Sequence, residues 1–155
     1  MTLEEFEEQG MERMSDAEIE GFLSSQSTGV LGLPTDGPPS MRPLSFWFDG
    51  ESSLYFLYIL GSSSRKDALS IQADIARFLV YRAETMFNWR SVLLAGSINE
   101  VPEVDREAVK DKMEFGRRPE VFERASKSAN TELYRFQIQE QTGIKHTGLP
   151  PGFEE

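Results

Sequence analysis

The chain has 155 residues, enough for one compact domain with a real core and too few for two of ordinary size. Its formal net charge of −10 argues against nucleic acid or an anionic membrane as partner, because gripping phosphates requires the opposite field, so any anion site is a local pocket. With no cysteine there is no disulfide, thiolate metal site or cysteine nucleophile, a composition that suits a reducing cytoplasm.

Residues 1–14 are acidic and lack the basic and apolar regions of a signal peptide; they read as an arm or short helix with Phe6 and Met11 as apolar contacts. The longest apolar run, Leu54 to Leu60, falls far short of the roughly 20 residues that span a bilayer. A soluble, cytoplasmic chain is expected. Ser15-Asp16-Ala17-Glu18 has the form of a capping box, and Ile19, Phe22 and Leu23 follow at helical spacing, which predicts a helix over Asp16–Ser25.

Strand signals follow. Thr28–Leu33 is short and apolar, and the proline-rich 34–39 stretch ends it. Met41–Phe48 reads as a second strand, Asp49-Gly50 as a hairpin turn, and Leu54–Leu60 as the returning third. After a short helix from about Arg65 to Gln72, Ile75–Tyr81 makes a fourth strand and Trp89–Val101 a fifth, with Gly96 as a candidate bulge. Val109, Met113, Val121 and Phe122 recur at helical spacings and suggest two short helices, while Leu133–Gln139 alternates as a sixth strand. The stretch from Gly143 to Glu155 reads as an irregular tail, in which the lone His146 is expected to be solvent-exposed. Six strands without regular strand–helix alternation predict a mainly β, α+β fold: a six-stranded antiparallel split β-barrel with peripheral helices. The domain is expected over residues 15–142, with the arm before it and the tail after it.

One stretch carries chemistry. The third strand ends in Gly61-Ser62-Ser63-Ser64-Arg65-Lys66, where hydroxyls, two cations and the open first turn of a helix suit a phosphate. The same residues also make an ordinary solvated turn with a serine N-cap. Arg42 and the pair Arg90-Ser91 place further polar groups inside apolar strands, which suggests a shared anionic partner; the alternative is strand ends bonded to carbonyls or carboxylates. There are no metal-ligand spacings, no convincing paired carboxylates and no Gly-x-Ser-x-Gly elbow.

The serine turn with Arg65-Lys66 after a strand containing Tyr58, the earlier Arg42, and Arg90-Ser91-Val92 opening a long strand together resemble the pyridoxamine 5'-phosphate oxidase-like family of FMN-binding split barrels, over about Thr28 to Gly143. The resemblance implies an FMN cofactor held by Arg42, Pro43, Leu44, Ser45, Tyr58, Ser64, Arg65, Lys66, Arg90 and Ser91, and a homodimer with two equivalent sites. It implies a flavin ring along Pro43–Trp47, with Trp47, Tyr58 and Trp89 available to line its slot. The family's oxidases carry a basic substrate residue where this chain has Trp47, and a basic, histidine-containing motif where it has Pro150-Pro151-Gly152-Phe153-Glu154-Glu155. Activity on pyridoxamine phosphate is therefore not expected. The expected function is an FMN-dependent oxidoreductase acting on a small molecule. Its alternatives are a split barrel holding F420 or haem, and a non-catalytic flavin-binding or sensing dimer.

Overall fold

A computed structural model describes residues 2, 4–5, 10–59, 73–114 and 131–148. Within them are β1 (Met11–Arg13), α1 (Asp16–Ser25), β2 (Thr28–Leu33), β3 (Ser40–Ser45), β4 (Trp47–Phe48), β5 (Ser53–Ile59), β6 (Ala73–Thr85), β7 (Asn88–Glu100), α2 (Glu103–Glu114) and β8 (Thr131–Thr147). The expected helix after Gly61 and the second helix near Val121 and Phe122 fall outside the described residues.

The strands form one antiparallel sheet in the order β3-β2-β6-β7-β8-β5-β4, with β1 added to the free half of β8. β3 and β4 lie at opposite ends of that order, yet only Phe46 separates them in the chain. The sheet must therefore curl until its two ends meet at Phe46, which makes a barrel closed at one corner and split along the rest of β3. The Phe46 N–H donates to the Ser27 carbonyl at 2.9 Å and pins the corner. The expected split barrel is present. The strand expected over Met41–Phe48 divides at this corner, and Met11–Arg13, where the sequence did not decide, is a short strand.

Alternation along each strand sends one set of side chains into the barrel. Leu31, Phe78 and Leu94 lie in one cross-strand row and are fully buried. Phe78 sits among Phe46, Phe56 and Phe136 with ring centroids 5.0–6.2 Å away, so aromatic packing adds to area burial. α1 covers the open end with Ile19, Phe22 and Leu23, each contributing about 1.5–3 kcal/mol if fully withdrawn from water. The capping box is formed as predicted: the Glu18 N–H donates to Ser15 Oγ at 3.2 Å and the Ser15 N–H to Glu18 Oε1 at 3.3 Å. Gly143 lets α1 approach the sheet, since a Cβ there would come within 2.9 Å of Met14 and 3.0 Å of Ile19.

Two punctuation marks in the sequence act as expected. Gly50 has φ +86°, and Asp49 Oδ1 accepts the N–H groups of Glu51, Ser52 and Ser53 at 2.8–3.1 Å, closing the turn into β5. The β7–β8 register shifts between Ala95 and Gly96, the bulge anticipated at that glycine. By contrast β8 continues to Thr147, through the stretch expected to be an irregular tail, because β7 and β1 pair with it there. Outside the barrel, α2 lays Val109 on a small cluster of Val101, Leu133, Trp47 and Tyr55.

Candidate functional site

The geometry of interest is the split itself. β4 and β5 pair with Trp47 opposite Tyr55 and Phe48 opposite Leu54. Continued backward past Phe46, that register would set Ser45 against Leu57 and Pro43 against Ile59. The ladder does not continue: among the described residues β3 pairs with β2 alone. Cα atoms of β3 and β5 nevertheless approach within 8 Å. The edge of β3 that faces away from β2 is thus unpaired among the described residues and lies near β5, the strand that precedes Gly61–Lys66 in sequence. Backbone N–H and C=O groups along such an edge are open to a ligand.

The predicted residues distribute as follows. Arg42 and Leu44 point to the inner side of β3, with Arg42 opposite Leu31 and half-buried, and Leu44 packed against the core. Pro43 and Ser45 are exposed on the outer side. Proline suits this strand, since an edge position tolerates the missing donor. Tyr58 lies in β5 with its backbone opposite Glu132. Ser64, Arg65 and Lys66 lie outside the described residues.

Arg90 and Ser91 are adjacent in β7 and so face opposite sides. Ser91 stands opposite Tyr81 and Ile144 on the outer face; Arg90 is exposed, opposite Arg82 and Lys145. The row of Arg42 reaches β7 at Leu94, so Arg90 is three strands and four residues away, roughly 20 Å along the sheet. The fold gathers Arg42, Pro43, Leu44 and Ser45 on one edge and holds Arg90 elsewhere.

The aromatic side chains offered as slot lining have partners of their own. Trp47 packs on Tyr55 with centroids 5.7 Å apart, beneath α2. Trp89 stacks on His146 at 5.9 Å and 25°. His146 itself is a correction: it is 5% exposed, within β8, with Nδ1 2.9 Å from the Phe87 carbonyl oxygen. Pairing of β8 with β7 and β1 buries a residue that the polar surroundings of Gly143–Gly148 suggested was solvated. Phe46, the residue that opens the split, gave no signal in sequence because it lies in an unbroken apolar run.

The family pattern described as Pyridoxamine 5'-phosphate oxidase matches residues 15–145, and the chain belongs to that family. No curated protein matches the sequence. Among solved structures, the flavocytochrome Anf3 from Azotobacter vinelandii is similar with a TM-score of 0.69 and 20% identity, over 94% of this chain and 73% of its own. A FAD- and haem-binding protein from Mycobacterium smegmatis gives 0.68 and 19%, over 92% and 76%. A FAD-binding protein from Mesorhizobium loti gives 0.64 and 19%, over 88% and 99%. At these identities the likeness is one of fold. No helix among the described residues is long and apolar enough to cross a membrane.

Proposed function

We propose that this chain binds FMN in the split between β3 and β5 and works as an FMN-dependent oxidoreductase on a small molecule. The observation that carries the reading is the edge of β3 at Arg42–Ser45, unpaired on the side away from β2 among the described residues and close to β5, the strand that precedes Ser64-Arg65-Lys66 in sequence. A flat ring needs an apolar slot with a few aimed polar groups, and this edge offers backbone groups beside Leu44 and Pro43. Arg42, Arg65 and Lys66 supply charge for the phosphate, in a chain whose net charge is −10. Of the Arg90-Ser91 pair, Ser91 shares the outer side with Pro43 and Ser45.

Bound flavin supplies hydride and electron transfer; the chain's residues bind, orient and shield it. Family membership and the flavin-binding names of the solved neighbours support the class of cofactor. Haem is the second cofactor named among those neighbours. The single histidine of this sequence suits it poorly as an axial ligand, since His146 is buried against Trp89 and its Nε2 lies 3.2 Å from where a Cβ on Gly10 would sit.

The test is calorimetric titration of purified protein with FMN, FAD, F420 and haem, followed by reduction of the complex with NADH or NADPH. Saturable FMN binding that is lost in Arg65→Ala/Lys66→Ala, with reduction and reoxidation at a steady rate, is the expected result. Protein that ignores both flavins defeats the cofactor reading. Bound FMN that neither donor reduces leaves a flavin-holding protein and defeats the enzyme reading.

A further inference from the structure

We infer that Arg90 is the centre of a second binding site, on the ledge where the inner side of β6, β7 and β8 runs on past α1, and that this site takes the carboxylate of a small organic acid. It stands roughly 20 Å along the sheet from Arg42 on the β3 edge. The inference goes beyond the cofactor reading and does not depend on it.

The ledge follows from strand alternation. Val80, Val92 and Gly143 form one cross-strand row on the inner side, the two valines fully buried and Gly143 packed beneath α1 against Met14 and Ile19. Two residues further along each strand, the same side carries Arg82, Arg90 and Lys145, again in one row, with opposite Cβ atoms about 5 Å apart. α1 runs alongside that row. Its first turn is tied to β8, where Lys145 Nζ donates to Glu18 Oε2 at 2.5 Å, and its end leads into β2, which pairs with β6. The ten residues of α1, about 15 Å long, match the three strand spacings from β8 to β2. The row is thus the floor of a groove, with α1 as one wall. Near Glu18 on the helix is Gly21, where a Cβ would meet nothing within 4 Å, so part of that wall is bare.

Charge selects the ligand. Like charges directly opposite one another in a sheet repel, so three cations in one row call for anions. Two of them have their own: Arg82 pairs with Glu84 at 3.2 Å, and Lys145 with Glu18 at 2.5 Å and Glu12 at 3.9 Å. Arg90, between them, is exposed and has no ion pair among the described residues. Three carboxylates beside three cations leave the patch near neutral as a whole, which disfavours a polyanion. What stays open is one guanidinium, a planar fork whose donors match the two oxygens of a single carboxylate.

The experiment is a titration of 15N-labelled protein, without added flavin, with propionate against chloride at constant ionic strength, followed by NMR. Inorganic phosphate is titrated in parallel. Propionate should shift the Arg90 Nε–Hε signal and the Trp89–Ser91 amides saturably, with a Kd of about 1–10 mM, as suits an exposed charge pair, and phosphate should bind no more tightly. Arg90→Lys, which keeps the charge and loses the fork, should weaken binding at least about fivefold, and Arg90→Gln should show no saturation at ten times the wild-type Kd. Glu84→Gln frees Arg82 as a second cation and should tighten binding at least about threefold. Far-UV melting curves establish that each variant is folded. Saturating FMN should leave the propionate Kd within about twofold, and the site would stand even if FMN failed to bind. Shifts that do not saturate, or that persist in Arg90→Gln, would show an adventitious ion only and overturn the inference. So would phosphate binding more tightly than propionate, indifference to Glu84→Gln, or competition between FMN and propionate, which would return Arg90 to the cofactor.

Discussion

The two faces of the curled sheet use the same kinds of side chain and meet different fates. Phe78 points inward and has no exposed surface, whereas Leu93 and Tyr81 on the outer face are 44% and 58% exposed. The inner face is closed by the chain itself, through the curl that meets at Phe46 and through α1. On the outer face α2 covers Leu133 beside Tyr55, whereas among the described residues Met41, Tyr81 and Leu93 stay exposed. An apolar residue in a strand therefore states that it is to be covered, not by what.

The sharpest way to break this comparison is to cut a hole in the inner face. Phe78→Ala should cost about 3–5 kcal/mol in a urea titration, since four packed rings cannot collapse around the loss. A cost below 1 kcal/mol would mean that the ring cluster is not the centre of the core. Next comes the fit between α1 and β8. Gly143→Ala forces a methyl against Met14 and Ile19 and should cost about 1–3 kcal/mol, read as a lower Tm with an unchanged β-sheet spectrum. On the outer face, Leu93→Ser should change the stability of the isolated chain by no more than about 0.5 kcal/mol when measured at high dilution, as exposed positions usually do.

The smallest effect is on pH dependence. Glu18 accepts a hydrogen bond from Lys145 Nζ at 2.5 Å and one from the Ser15 backbone, and these hold its carboxyl below the ordinary 4.5. A depressed pKa contributes stability that is present above the unfolded value and lost as pH falls through the folded one. Stability should therefore be level near neutrality and decline below about pH 4.5. Glu18→Gln should flatten part of that acid limb, and an identical limb in the variant would remove Glu18 as its source.

Much of the fold could be read from local chemistry. The capping box at Ser15–Glu18, the Asp49-Gly50 turn and the bulge at Gly96 each depend on a few adjacent residues, and each formed as read. What could not be read depends on partners distant in sequence. The division of Met41–Phe48 at Phe46 follows from closure of the whole barrel, and the extension of β8 to Thr147 follows from pairing with Asn88 and Met11. His146 was misplaced for the same reason. For the site, residue types were legible and their gathering was not. Arg42 to Ser45 share an edge that is unpaired among the described residues because β3 does not continue the β4–β5 ladder, while period-two alternation sends Arg90 and Ser91 to opposite faces.

The position of the cofactor is the claim on which the functional account rests, and hydrogen exchange measures it directly. Mass spectrometry should be followed on peptides covering Ser40–Trp47 and Ser53–Ile59, with and without saturating FMN. Slower exchange of the Ser40–Trp47 amides on adding FMN, with the β6–β7 hairpin around Phe87 unchanged, is the predicted result. FMN that binds tightly while leaving Ser40–Trp47 exchange untouched would place the flavin away from the split and contradict the account.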